Sequence, residues 1–281
     1  MLTLTKSQIP ERLTAIDSPP STLYVEGNLA EILHSPVVAI VGSRKISTYG
    51  RDITKHLAGE LAEQGIVIVS GLAFGVDSIA HQAALDAGGR VIAVLPTPLD
   101  RIYPAAHRQL ARHILENGGA LVSEYAAGSS VYKTNFVARN RIIAGLADAT
   151  LLTEAALKSG SLHTARFALN AGRDVLAVPG NITSPTSEGT NNLIKSGATP
   201  VTSADDVLHV LGLLPVNTKP HPVGANDAEQ IIIDLVGSGI TDGAVLQSKS
   251  NLSVTVFNQT LTMLEITGKI RSLGANQWSL P

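Results

Sequence analysis

VVAIVGSRKISTYG, residues 37–50, is the stretch whose reading decides the fold. The unbroken apolar run Val37–Val41 stops at Gly42-Ser43-Arg44, and a segment of helical period follows from about Tyr49 to Gln64. That is a buried strand, a tight turn and a helix start. Such a turn can aim free backbone N–H groups and the positive end of a helix dipole at an anion, and Arg44 sits inside it. The stretch therefore reads as a phosphate-binding site. A dinucleotide fingerprint does not fit, because Ser43, Arg44 and Lys45 occupy the places where close backbone approach needs glycines. Nor does any G-x-x-x-x-G-K-[ST] phosphate loop occur in the chain. A bulky Arg in the turn favours a ligand reached by a side chain, such as a backbone phosphate.

Outward from this stretch the same pattern repeats. Strand candidates fall at 37–41, 66–69, 91–95, 120–122, 150–153 and 175–178, with helical segments at 51–64, 76–87, 105–117 and 161–171 between them. Alternating strand and helix predicts an α/β fold, a parallel sheet with helices on both faces. Ala, Val, Leu and Ile make up most of a 44% hydrophobic content while aromatics are only 4%, as parallel strands covered by helices require. In open α/β sheets ligands sit beyond the carboxyl ends of the strands, so GSR (42–44), SGLAFGVD (70–77), LPTP (95–98), SEY (123–125) and SGSLHT (159–164) are expected around one crevice.

The flanks read differently. Residues 1–35, broken at Pro10 and at Ser18-Pro19-Pro20-Ser21 and carrying a short strand-like Leu23-Tyr24-Val25 that ends at Gly27, read as an N-terminal arm, and 36–212 as the main domain. The Pro-containing polar stretch 213–227 reads as a linker. In 228–281, helices at 228–236, 243–248 and 255–267 precede a short hairpin, a small C-terminal winged-helix-like domain. Its presumed recognition helix, TVFNQTLTMLEIT, carries no Lys or Arg, which favours protein contact or stabilisation over reading DNA.

With 281 residues there is room for one full α/β domain and a smaller one. The absence of Cys rules out disulfides, Cys-based zinc sites and thiol catalysis. With no apolar run near the roughly 18 residues that span a bilayer and no leader-like N-terminus, the expected location is cytoplasmic, without a membrane. A formal net charge of −2 does not mark a nucleic-acid binder, but its distribution does more. Two acid-free windows hold Arg44, Lys45 and Arg51, and Lys133, Arg139 and Arg141. They could converge into one positive pocket.

The second window, YKTNFVARNR (132–141), sets cations beside aromatics. A base could stack on Phe136 while Lys133 and the arginines neutralise phosphates, for about 1–3 kcal/mol per stacked base. Equally, Phe136 could be core, and Arg139 and Arg141 could be structural guanidinium groups bridging loop carbonyls at a helix start. Ser161 opens a further anion-ready helix, or simply caps it. Asp77, Glu124 and Glu154 lie at strand ends with no catalytic partner in view, so structural hydrogen bonding is their expected role. His81 reads as a helix-packing residue, and the eight His residues show no metal-ligand spacing; no metal or cofactor is expected.

Taken together, VAIVGSRKISTYG (38–50), VSGLAFGVDSIAHQAAL (69–85), VIAVLPTPLDRIYP (91–104), LVSEYAAG (121–128), FVARNRIIAGLAD (136–148), EAALKSGSLHTARFA (154–168) and GTNNLIKSGA (189–198) resemble the DNA-processing protein A family, also called DprA or Smf. The likeness runs in order over about residues 23–202, and the tail resembles the winged-helix domain many members carry. It implies an extended Rossmann-like fold that forms a homodimer and binds single-stranded DNA without sequence preference, and that loads the RecA recombinase during natural transformation without being an enzyme. It maps the DNA pocket to Gly42, Ser43, Arg44, Lys133 and Phe136; Arg139, Asn140, Arg141 and Ser161 complete the expected set. LPTP stands where the family usually has glycines, and Val137 where it usually has Pro. The alternative is a nucleotide-processing phosphoribohydrolase-like enzyme on a related fold. Those enzymes start the corresponding helix with a PGG-x-GT-x-x-E motif, and KSGSLHTAR has neither the PGG nor the Glu.

Overall fold

The computed structural model describes residues 1–213 and 222–280, which form two compact units, Met1–Leu214 and Pro215–Pro281. In the first unit the chain runs β1 (Leu2–Thr5), α1 (Glu11–Thr14), β2 (Thr22–Gly27), α2 (Leu29–Ile32), β3 (Val37–Val41) and α3 (Thr48–Glu63). It continues through β4 (Val67–Ser70), α4 (Val76–Asp86), β5 (Val91–Leu95), a 3-10 turn at Ala105–His107, α5 (Arg108–Glu116) and β6 (Ala120–Ser123). Two short helices follow, α6 (Lys133–Ala138) and α7 (Asn140–Leu146), then β7 (Ala149–Leu152), α8 (Ser161–Asn170) and β8 (Asp174–Ala177). The unit closes with α9 (Glu188–Lys195), β9 (Thr199–Pro200) and α10 (Ala204–Val210).

The nine strands form one sheet in the order β1-β2-β6-β5-β4-β3-β7-β8-β9. All pairings from β6 to β9 are parallel, as the alternating pattern predicts. The N-terminal stretch corrects its reading as an arm: β1 and β2 extend the sheet antiparallel, through β2 against β6. Leu13, Leu23, Val25 and Ile32 are buried there with β3 and α7. The strand at Leu23–Val25 is where the sequence places it, as part of β2, but short runs with few apolar residues do not announce β1 or the pairing with β6; packing against an existing sheet supplies the stability that local propensity does not.

The sheet is covered on both faces, which is why β3 is apolar at every position. Val38 and Ile40 face Leu57 and Leu61 of α3 and Ala80 and Ala84 of α4. Val37, Ala39 and Val41 face Ile143 of α7 and Ala165 of α8. Within the first of these layers, α3 and α4 bury small side chains against each other, which lets them pack closely over β3 and β4. From β3 the chain moves outward to β4, β5 and β6, then returns to β7 on the other side of β3. That reversal opens a crevice at the carboxyl ends of β3 and β7.

The second unit holds α11 (Asp227–Gly237), α12 (Gly243–Ser250) and α13 (Val254–Ile266), followed by a hairpin of β10 (Arg271–Gly274) and β11 (Gln277–Ser279). It has its own core, with Ile232, Ile233, Leu246, Phe257, Leu261 and Leu264. Three helices and an antiparallel hairpin are the elements that the sequence pattern predicts here. Asn226, Asp242 and Ser253 each cap a helix N-terminus through the side chain. Part of the expected linker, residues 214–221, lies outside the described residues.

Candidate nucleic-acid interface

The turn after β3 is held at both ends by one residue from the strand next door. Glu154, just past β7, accepts the Ser43 N–H on its main-chain oxygen at 2.7 Å. Its carboxylate accepts the Ser47 N–H at 2.8 Å and the Ser47 hydroxyl at 2.5 Å. Ser47 in turn caps α3 by accepting the Gly50 N–H. Glycine is required on either side of this staple. A Cβ on Gly42 would lie 2.6 Å from the Glu154 main-chain oxygen, and one on Gly50 would lie 2.5 Å from its carboxylate. The bracing leaves Arg44 and Lys45 exposed on a rigid turn. Ser43 is spent locally, donating its hydroxyl to the Lys45 oxygen at 2.7 Å.

The neighbouring turn, after β4, is braced in the same way. Asp77 of α4 is buried and accepts the N–H groups of Gly71 (3.1 Å) and Ala73 (3.4 Å). Burial raises its pKa, while the positive charge of Arg139 opposes the rise. Arg139 is only 4% exposed. Its guanidinium donates to the Gly71 oxygen at 2.6 Å and to the Val94 oxygen, joining the ends of β4 and β5. Burial pushes its pKa down to about 10 against the opposing pull of Asp77. His81, fully buried on α4, is held neutral: its pKa is pushed down to about 3, by burial first and then by the charges of Arg139 and His107.

Between these turns and the start of α8 lies a crevice of ≈630 Å³. Gly42, Ser43, Arg44, Phe136, Arg139, Asn140 and Ser161, all expected at the site, line it together. Phe136 is half-buried, packed edge-on against Tyr103 with centroids 5.1 Å apart, and the Arg44 guanidinium lies 5.6 Å from its ring centre. The arrangement preserves a partly open aromatic ring beside an exposed cation, the pairing that stacks bases and binds phosphates.

Other expected members stand differently. Lys133 is exposed at the first turn of α6 and is not among the crevice-lining residues. Arg141 is also outside the lining and forms an ion pair with Glu124 at 2.6 Å, both side chains mostly buried. Arg139 and Arg141 thus make the carbonyl-bridging and ion-pair contacts of structural guanidinium groups, while Arg139 also lines the crevice. Asn140 accepts from Arg139 and donates to the Gly160 oxygen at 3.4 Å. Ser161 is the first residue of α8, not its cap, and shares its hydroxyl with Ser159 at 2.8 Å. One cation missing from the sequence reading lines the opposite wall: Lys158, exposed in the loop before α8. It stood beside the recognised S-G-S segment, and an acid-free count over 155–165 would have found it. Among the described residues none of Arg44, Lys45, Lys133 or Lys158 is in a salt bridge.

The three strand-end acids are all engaged: Asp77 by two amides, Glu124 by Arg141 and Glu154 by Ser47. Among the described residues there is no group of three or more His, Asp or Glu side chains placed to hold a metal ion, and no helix long and apolar enough to cross a membrane.

Residues 1–212 match the family model described as DNA recombination-mediator protein A. Protein Smf of Escherichia coli is 41% identical over 277 residues, covering 94% of this chain and 73% of its own length. The X-ray structure of DNA processing protein A from Streptococcus pneumoniae superposes with a TM-score of 0.69 at 42% identity, covering 74% of this chain and 73% of that one. DNA processing protein A from Helicobacter pylori, whose structure is described as giving insight into a unique single-stranded DNA binding mode, superposes with a TM-score of 0.67 at 35% identity. That match covers 75% of this chain and 96% of the other.

Proposed function

We propose, from the premise that this chain belongs to the DNA recombination-mediator protein A family, that its crevice binds single-stranded DNA without sequence preference. The observation that carries the reading is the division of labour in the crevice. Arg44, Lys45 and Lys158 are exposed cations without an acidic partner among the described residues, beside a half-open Phe136 ring. Cations on both walls suit a polyanion threaded between them, and a ring reads every base alike because every base has a π-face. The solved Helicobacter pylori relative, described by its single-stranded DNA binding mode, supports the same ligand.

The hydrolytic alternative is weaker on the same ground. A general base needs a free carboxylate within reach of its substrate. Asp77, the acid lining the crevice, is buried and already accepts two amides. The reading is therefore of a binding protein, not an enzyme.

Family membership supports a wider proposal: a cytoplasmic homodimer that loads the RecA recombinase onto incoming strands in natural transformation. Residues 36–212 would serve as its DNA-binding domain, 213–227 as linker and 228–281 as a winged-helix-like module for contacts other than DNA. Lys133 stays in the proposed DNA path as an outlying phosphate contact.

Titration of a fluorescent single strand and its duplex at several salt concentrations, with a nucleoside-monophosphate hydrolysis control, tests the core of the proposal. Expected are tight single-strand binding equal for dT and mixed sequences, a log–log salt slope of roughly −3 from four cations, Arg44, Lys45, Lys158 and the outlying Lys133, at about 0.7 each, and no hydrolysis. A salt-independent affinity, or turnover of the nucleotide, would overturn it.

A further inference from the structure

The turn that carries Arg44 is a ridge with a cavity on each side. Beyond its far end lies a second cavity of ≈580 Å³, between the start of α3 and the loop that follows β8. Ser47, Tyr49, Glu154, Asn181, Ser184 and Ser187 line it, and Thr186 borders both cavities.

Its chemistry differs from that of the crevice. Among the described residues no Lys or Arg lines it, so none of them neutralises a phosphate there. Its one carboxylate, Glu154, is 1% exposed and engaged by Ser47, and would repel an anion. What remains is the Ser184–Thr186 hydroxyl pair, joined at 2.9 Å, the Ser187 hydroxyl, the amide N–H groups of Asn181, whose oxygen accepts from Thr183, and an aromatic ring. Tyr49 is 49% exposed, yet its hydroxyl donates to the Pro179 oxygen at 2.8 Å. The ring is thus tethered at its tip with about half its surface open. A ring held in place loses little rotamer freedom when a flat partner stacks on it. Hydroxyl groups can donate or accept, so the cavity can serve the polar edge of any base.

We propose that this cavity is a second base subsite, in which a nucleobase of the bound single strand stacks on Tyr49. The proposal rests on single-strand binding by the crevice. In this arrangement the strand crosses the ridge with its phosphates at Arg44 and Lys45, one base against Phe136 and another against Tyr49. The ridge separates the two rings, so the strand is bent over it with its bases splayed, a path that a paired duplex cannot follow. Tyr49 thereby contributes to discrimination between single and double strands.

The test is photocrosslinking of full-length protein to oligo-dT carrying one 5-iodouracil, moved along the strand, with adducts mapped by peptide mass. Adducts at Tyr49 and at Phe136, from different positions of the label, are expected. Tyr49→Phe, which keeps the ring and loses the tether, should bind within about twofold of wild type. Tyr49→Ala should lose roughly 5- to 150-fold in single-strand affinity, the range for one stacked base. A wild-type protein that binds the strand and crosslinks at Phe136 but never at Tyr49 overturns the subsite alone, as does unchanged affinity in Tyr49→Ala. A wild-type protein that binds no single strand overturns the function and the subsite together. The wild-type crosslink decides the matter even if Tyr49→Ala does not fold.

Discussion

Two basic windows, 44–51 and 133–141, look equivalent in the sequence, yet Arg44 of the first and Arg139 and Arg141 of the second have opposite fates in the fold. In the first, Arg44 and Lys45 stand exposed on a turn whose backbone is held by Glu154, so the protein has spent its hydrogen bonds on the turn and left the charges free. In the second, Arg139 is sunk among carbonyls and Arg141 is paired with Glu124. The difference teaches that a cation's job is set by what the neighbouring strands leave unsatisfied. The ends of β4 and β5 present carbonyls that need a donor, and Arg139 is the donor that reaches them.

The largest test of this contrast is Arg139→Met. Removing one member of a buried charged network strands the rest, here Asp77 and two carbonyls, so unfolding free energy should fall by about 3–5 kcal/mol. Urea denaturation measures it, and a variant as stable as wild type would move Arg139 to the ligand-binding group. Arg44→Ala should do the reverse. Single-strand affinity should drop by about 1.5–3 kcal/mol, the worth of a hydrogen bond to a charged group, with the salt slope reduced by about 0.7. Stability should stay within about 0.5 kcal/mol, since the side chain is exposed; a large stability loss would erase the distinction between the windows.

The buried side of the contrast also predicts a pH effect. His81 has a folded-state pKa depressed from 6.5 to about 3, so the stability it contributes is complete above pH 6.5. That contribution is lost as pH falls toward 3, by at most about 1.4 kcal/mol per pH unit. Denaturation midpoints of wild type and His81→Leu across pH 4–7 check this, and parallel curves would refute it. The smallest effect is expected at Lys133, exposed and outside the crevice lining. Lys133→Ala should cost less than about 1 kcal/mol of affinity; affinity and salt slope both unchanged would remove the start of α6 from the binding path.

The parallel core was legible because its signal is local: apolar runs of four or five residues ending at Gly or Pro, separated by helical periods. Of the N-terminal strands, β2 was legible at Leu23–Val25, but β1 was not, since it is largely exposed and gains its order from β2, and neither announced its place in the sheet. At the site, Arg44 and Phe136 can be read from residue type and spacing, whereas Lys158 beside the S-G-S segment is a single cation, marked only by its acid-free surroundings.

By itself, the sequence determined the alternation of strands and helices, the crevice at the strand ends and the placement of Arg44 on a glycine-bounded turn. These follow from periodicity and backbone restrictions, which act over a few residues. Only the tertiary structure decided which cations remain free, because that depends on partners far along the chain: Glu154 staples a turn 107 residues earlier, and Arg139 reaches the Gly71 oxygen 68 residues away. Charge is a property of a residue, but availability of charge is a property of its neighbours in the fold.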